Sequence, residues 1–427
     1  MGSHNRLLFV VVEFTKRELN VKIKTNINIF NKMKGRVQNM NNKIMLPNYN
    51  KSILNLITSI LKKYNVASDF SELTEIKEVM NKDYNNIVLV VLDGMGENIL
   101  TNNSPRGLFN INKLCNITSV FPSTTTAAMT TYYSGKPPIE TAWIAWTQYF
   151  KEYGKYIDIL PEVDDSNGEK IKTKGKKILD IIGYKNIYTK ILEENDNLTV
   201  CEIVPSYCEK KTKLTINANN IDELCEGILT ICNNNKNKNF IFAYSDNPDE
   251  IIHKNGCYSN ETKKFIQETE KYFGRLINKL KGTNTLLLIS ADHGHNDIEE
   301  KISILELPEI QDCLIMPPFL ESRMISFFVK EEKKKKFEEA FNKKFNEKYI
   351  LYNKKEFLDS GLMGKGKQHK KIDDFIGNYI AIAISDSIIV LENYFDRELK
   401  GKHEKKSTHC GLTKNEMEIP LIVFTIK

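Results

Sequence analysis

Residues 87–94 read Ile-Val-Leu-Val-Val-Leu-Asp-Gly, six aliphatic side chains followed at once by a carboxylate and a glycine. A strand with one wet face alternates apolar and polar residues. This run does not alternate, so it predicts a strand covered on both faces, as in a parallel sheet enclosed by helices. Three further stretches share its texture: 239–244 (NFIFAY), 285–290 (TLLLIS) and 420–426 (PLIVFTI). Between them, apolar residues recur at helical spacing over 51–64, 221–232 and 262–281. Strands alternating with helices give the α/β class, a mainly parallel sheet with helices on both faces. Asp93, Asp246, Asp249 and Asp292 fall just after such strands. Ligands of open α/β sheets gather beyond the carboxyl ends of the strands, so these acids converge where a site belongs.

The 427 residues are 41% hydrophobic, enough for a sizeable core. Lys and Arg number 61 against 55 Asp and Glu, and nine of these cations lie between Arg6 and Lys43. Residues 1–44 therefore read as a basic, Asn/Lys-rich leader, expected to be solvated and dispensable. Its apolar run, 7–12, is shorter than a signal-peptide core, and no window of the chain reaches the length of a membrane span. The eight cysteines are scattered and form no Cys-x-x-Cys pair, so a reducing, cytoplasmic setting is expected. Beyond residue 298 the texture changes: a strand near 323–330, a charged helix over 331–345 and more strand over 379–391. The expected organisation is a catalytic core of 45–298 and 401–427, interrupted by a smaller α+β insertion or cap, 299–400.

The chemistry lies in a small set of side chains. Asp249 and His253 are four residues apart, so on a helical turn both face one way. Asp292 and His293 sit at a strand end, and His409 stands alone downstream. With Asp93 and Thr125 these seven residues make a ligand set for two divalent metals about 4 Å apart. Mixed imidazole and carboxylate donors suit zinc, with manganese or iron as alternatives, and disfavour calcium and magnesium. Each residue alone is more often a cap or surface group; their joint placement after predicted strands is what argues for a site. Trp143, Trp146, His295 and His369 are further candidates for contact with substrate, against core packing for the tryptophans and a solvated loop for His295.

Five motifs in order carry a more specific likeness: VVLDGMG around Asp93, VFPSTTTAAMTTYYSG around Thr125, YSDNPDEIIH, SADHGH and THCGLT. Together they resemble the alkaline phosphatase superfamily, nearest its type I phosphodiesterase/nucleotide pyrophosphatase branch, over roughly residues 45–427. The resemblance implies an alkaline-phosphatase-like core. One metal would be held by Asp249, His253 and His409, the other by Asp93, Asp292, His293 and the Thr125 oxygen. It also implies that Thr125, ten positions before Gly135, is a nucleophile forming a covalent phosphothreonine. Three carboxylates and one alkoxide balance two dications, leaving a nearly neutral pocket for an anionic phosphate. The implied activity is hydrolysis of a phosphodiester or pyrophosphate in a small, nucleotide-like substrate.

Some positions depart from the family's pattern. Trp146 stands where nucleotide pyrophosphatases place a phosphate-binding Asn, and Cys410 follows His409 where Gly is common. No arginine lies within the five motifs, which tilts the expectation from dianionic monoesters towards diesters, with Arg323 as the candidate counter-argument. FPSTTTAA lacks the Arg that a sulfatase needs after its nucleophile. The competing readings are a phosphomonoesterase or phosphonate hydrolase, or a non-catalytic phospholigand-binding homologue. Nucleic-acid binding through the basic leader is the weakest of them.

Overall fold

The computed structural model describes residues 43–171, 177–234, 237–390 and 405–427. The leader thus lies outside the described residues except for its last two, as does the end of the expected insertion, 391–400.

A seven-stranded sheet forms the centre. Its strands in chain order are β1 (Asn86–Leu92), β2 (Lys113–Thr118), β3 (Leu198–Val204), β4 (Leu214–Asn217), β5 (Lys238–Ser245), β6 (Thr285–Ser290) and β7 (Glu418–Ile426). They lie side by side in the order β2-β7-β6-β1-β5-β3-β4. β1 pairs parallel to β5 and β6, and β3 pairs parallel to β4 and β5. Only β7 runs against its neighbours. Every residue of β1 is buried, and Leu89 sits opposite Phe242 on one side and Leu288 on the other. Burying an aliphatic side chain of this kind stabilises the fold by about 1.5–3 kcal/mol, so the uninterrupted apolar run fixes β1 at the centre.

Helices cover the sheet in two groups. Ile53–Lys63 packs on Thr125–Ser134, which packs on Ile187–Glu194. Ile221–Cys232 packs on Asn260–Lys279, which in turn meets Glu97–Asn103.

A second, antiparallel seven-stranded sheet stands beside this body. Its order is Tyr349–Asn353, Tyr379–Ala383, Met324–Phe327, Phe319–Glu321, Thr147–Phe150, Lys155–Asp158 and Val163–Asp164. It draws strands from both sides of residue 298, joined where Leu320 pairs with Thr147. Helix Lys334–Phe345 lays Phe337, Phe341 and Phe345, each four residues on from the last, against Phe327, Tyr349 and Tyr379. Lysines at its start turn away from that core, Lys336 and the N-cap Lys333 to Asp312 and Lys335 to Glu339. Among the described residues no helix is long and apolar enough to cross a membrane.

Candidate metal centre and active site

The loops at the carboxyl ends of β1, β5 and β6 are tied together by backbone. The Asp93 N–H donates to the Ser245 carbonyl at 2.9 Å, and the Asp249 N–H donates to the Asp93 carbonyl at 3.0 Å. The Gly94 N–H reaches Oδ1 of Asp292 at 3.0 Å. Gly94 has φ +72°, and a Cβ there would fall 2.8 Å from Nε2 of His295, so the glycine after Asp93 is required both by its dihedral and by its neighbour.

Three oxygen atoms meet around Nε2 of His293. Oγ1 of Thr125 lies 3.2 Å from it, Oδ2 of Asp292 3.3 Å and Oδ1 of Asp93 3.4 Å. The two carboxylates are asymmetric. Oδ1 of Asp292 accepts the Gly94 and His293 N–H groups, and Oδ2 of Asp93 accepts from the Tyr244 hydroxyl. The remaining oxygens, Asp93 Oδ1 and Asp292 Oδ2, are buried and have no hydrogen-bond partner. An uncompensated buried charge is costly, so these atoms call for a cation. Four ligands about 2.0–2.2 Å from one tetrahedral ion stand about 3.3 Å apart, the spacing found here. Burial, then the charges of Asp292 and Asp249, pushes the Asp93 carboxyl well above the usual carboxylate range, as like charges brought together out of water do.

A second cluster surrounds Asp249, at the start of the helix Asp249–Asn255. Nε2 of His253, one turn on, is 3.4 Å from Oδ2 of Asp249; Nε2 of His409 is 3.7 Å from Oδ1, and Nε2 of His295 is 2.6 Å from the same oxygen. Burial works to raise the Asp249 pKa, but the imidazoles of His253, His295 and His409 hold it well below the usual value. Burial lowers His253 to about 3 and His409 well below its ordinary value, so both rings are held neutral, the form that binds metal. Their tautomers follow from the hydrogen bonds. Nδ1 of His253 faces the Ser407 carbonyl at 2.7 Å, that of His293 the Gly294 carbonyl at 3.1 Å, and that of His409 the Ser123 carbonyl at 3.1 Å. A carbonyl only accepts, so Nδ1 carries the proton and Nε2 keeps its lone pair for a cation. Asp249, His293, His295 and His409 place donor atoms within 4.8 Å of one another, as do Asp93, Asp292 and His293. The donor set fits two divalent cations.

Thr125 is the first residue of the helix Thr125–Ser134, with Thr124 as its N-cap. Its hydroxyl reaches Oδ2 of Asp93 at 3.5 Å, and the helix N-terminus favours negative charge there. The Thr124 hydroxyl instead donates to Glu321 at 3.2 Å, and the Thr126 hydroxyl is buried without a partner.

The other candidates fall in different places. Trp143 is a core residue, its indole N–H donating to the Ile182 carbonyl at 2.7 Å and its ring meeting Tyr184 edge-on, so packing and not stacking on substrate accounts for it. Trp146 keeps 42% of its surface exposed. His369 donates its backbone N–H to the Ile139 carbonyl at 2.8 Å, and its Nδ1 accepts from the Lys371 N–H at 3.2 Å. Arg323 is not a phosphate clamp. It is fully buried, with Nε and Nη2 on Glu416 and its other N–H groups on the Ser385 and Ser387 carbonyls. Cys410 is buried, and that burial, with Glu321 and Glu416 nearby, pushes its thiol pKa well up. Its φ of +97° is one that glycine adopts freely.

Glu321, Ser407 and Glu416 also shape the site and carry no motif of their own; Tyr244, at the head of the YSDNPDEIIH motif, shapes it too. Glu321 accepts the Trp146 N–H at 2.6 Å and the Thr124 hydroxyl, beside the nucleophile candidate. Tyr244 stands next to last in the apolar strand β5 and opens the YSDNPDEIIH motif, signals that could have singled it out.

Fold and site together define a metal-dependent hydrolase of the alkaline phosphatase superfamily. The chain belongs to the type I phosphodiesterase / nucleotide pyrophosphatase family, whose profile matches residues 87–404. Among solved structures it is similar to the murine ectonucleotide pyrophosphatase / phosphodiesterase 5, at 17% identity and TM-score 0.55, covering 78% of this chain and 87% of that one. The human ectonucleotide pyrophosphatase / phosphodiesterase 5 is similar at 16% identity and TM-score 0.54, over 79% and 87%. Phosphonoacetate hydrolase from Sinorhizobium meliloti 1021, in complex with phosphonoformate, is similar at 13% identity and TM-score 0.55, over 80% and 90%. Among curated protein sequences none matches.

Proposed function

We propose that the protein hydrolyses a phosphodiester or pyrophosphate bond of a small, nucleotide-like substrate at two divalent cations, preferably zinc, through a covalent phospho-Thr125. The observation that carries this reading is the shared approach of Thr125 Oγ1 and two partnerless carboxylate oxygens to His293 Nε2. When bound, the cations supply Lewis-acid charge at the attacking and leaving oxygens. Asp93, Asp292, His293 and Thr125 would hold one; Asp249, His253 and His409 would hold the other.

The residues of the chain do the rest. Thr125 Oγ1 attacks phosphorus and releases its proton to solvent, the bond to the leaving oxygen breaks, and the leaving group departs carrying a proton from water. A water molecule then cleaves the phosphothreonine ester, restores the hydroxyl and frees the phosphorylated product. Two inversions leave the configuration at phosphorus retained. The first turn of the helix Thr125–Ser134 directs backbone N–H groups at the phosphate. Because Arg323 is committed to Glu416, it adds no second charge for a dianionic monoester. Eight free thiols support a reducing, cytoplasmic setting, and the partner expected is a small phosphorylated molecule and not nucleic acid.

Turnover of bis-p-nitrophenyl phosphate, p-nitrophenyl phosphate, dinucleoside pyrophosphates and phosphonoacetate, with zinc or manganese, tests this reading. Diester or pyrophosphate turnover should exceed monoester turnover. Equal or faster monoester hydrolysis would overturn the diesterase assignment, and phosphonoacetate as sole substrate would replace it with a phosphonate hydrolase.

A further inference from the structure

His295 has no place in the ligand sets given above, yet it is fully buried and its Nε2 stands 2.6 Å from Asp249 Oδ1. Its surroundings bear on where its proton sits. The Ser407 hydroxyl donates its single proton to the Ile252 carbonyl at 2.7 Å, and the same oxygen lies 3.3 Å from His295 Nδ1. The Ser407 oxygen, its own proton spent, can take a hydrogen bond from Nδ1, a tautomer that frees Nε2 for a cation. Without metal, a proton on Nε2 closes the 2.6 Å contact with Asp249; a bound cation would take that proton's place.

The arrangement of rings points the same way. The ring centres of His253, His295 and His409 lie 4.8, 5.1 and 5.2 Å apart, a nearly equilateral triangle with Asp249 among them. Imidazoles bound through nitrogen at about 2.0–2.1 Å to one tetrahedral ion place their ring centres about 3.2 Å from it and about 5.2 Å from one another. His293, although its donor atom is near the same cluster, does not belong to the triangle. It stacks on His409 at 3.8 Å and gives its Nε2 to Thr125, Asp93 and Asp292.

We propose that His295 is a third imidazole ligand of the cation held by Asp249, His253 and His409, making that centre three histidines and one carboxylate. The inference rests on the two-cation reading of the site and deepens it. The two centres would then differ in kind. The Asp249 centre has four protein donors, three of them neutral nitrogens; the Thr125 centre has one nitrogen and three oxygens. Nitrogen-rich sites favour zinc, cobalt and nickel over magnesium and manganese. Gly94, which leaves room for the His295 ring, becomes part of this centre's architecture.

Cobalt(II) tests the proposal without reference to turnover. The metal-free protein is titrated with Co(II), bound metal is counted, and the visible d–d absorption is recorded for wild type, His295→Ala and His295→Gln. Glutamine keeps an N–H to offer Asp249 but is a poor ligand, so it separates coordination from mere orientation. Loss of an outer hydrogen bond to a ligand costs about 10–100-fold in metal affinity. Both variants should lose more than about 100-fold at one of the two cobalt sites, with a changed absorption band, while the other site still fills. Wild-type absorption in His295→Gln would overturn the proposal and leave His295 as a group that only orients Asp249. A wild-type protein that takes up no cobalt would overturn the two-cation reading itself, a result distinct from the first. Circular dichroism of the metal-free variants guards against loss of fold; should His295→Ala unfold, His295→Gln alone decides.

Discussion

Nδ1 of His409 lies 3.1 Å from the carbonyl oxygen of Ser123, two residues ahead of Thr125. The Ser123 hydroxyl returns the contact by donating to the Gly411 carbonyl at 3.0 Å. The loop that presents the nucleophile candidate and the loop that presents the last imidazole therefore hold each other, although 284 positions separate Thr125 from His409. Removal of His409 should act first on the Asp249 centre. In His409→Ala, metal per chain measured by elemental analysis should fall from about two towards one. Asp93, Asp292 and His293, tied to Gly94 and Tyr244, should keep theirs. Equal loss from both centres would show that the two share His409.

Thr125 is separated from Thr124 and Thr126 by its contacts and not by its residue type. Thr124 is taken up by Glu321, Thr126 is buried within the helix, and only Thr125 reaches His293 and Asp93. Thr125→Ala should keep fold and metal content while lowering kcat by on the order of 10³–10⁶, the range seen when a nucleophile is deleted from an intact site. Thr125→Ser should retain part of the rate. Undiminished activity in Thr125→Ala would move the role to another hydroxyl.

Arg323 and Glu416 form a fully buried ion pair between the second sheet and the short helix Lys414–Met417 that follows His409. Glu416 also accepts the Gly411 and Thr413 N–H groups, at 2.7 and 3.1 Å. Removing one partner strands the other charge away from water, at a cost of about 3–5 kcal/mol. Arg323→Met and Glu416→Gln should each lower the unfolding free energy measured by urea denaturation by that amount, and the double variant should cost less than their sum. Additive losses would mean that the two groups are not coupled.

The parts of the fold that were legible in the sequence are those with one-sided physics. β1, β5, β6 and β7 have both faces covered, so their apolar runs do not alternate and stand out. β3 breaks that pattern with a buried Glu202, made tolerable by the Lys211 N–H at 3.0 Å, and was not foreseen. β2 and β4 are short edge-side strands with polar residues. The second sheet was legible only in part, because the pairing of Thr147 with Leu320 is a contact across 173 positions that no local pattern encodes. In the site, the metal-binding candidates were legible because carboxylates and imidazoles after apolar strands are unusual, whereas Glu321 and Ser407 look ordinary in sequence and acquire meaning only from what they touch.

Asp158, on the second sheet beside Trp146, offers a pH test away from the metal ligands. Burial first, and the nearby Asp165 charge second, raises its carboxyl to about 6, against the opposing hydrogen bond from the Thr147 hydroxyl at 2.6 Å. The raised value means that the folded protein binds this proton more tightly than the unfolded chain does. The associated stability is complete below the unfolded pKa, about 4, and is lost as pH rises through about 6. Asp158→Asn, which cannot ionise, should escape this loss. The difference in unfolding free energy between variant and wild type should grow in favour of the variant from pH 4 to pH 7, by at most about 3 kcal/mol. Urea denaturation of both proteins at unit pH intervals measures that difference with other titrating groups cancelled. A difference that stays constant across the interval would show that Asp158 ionises in the fold as it does in the unfolded chain.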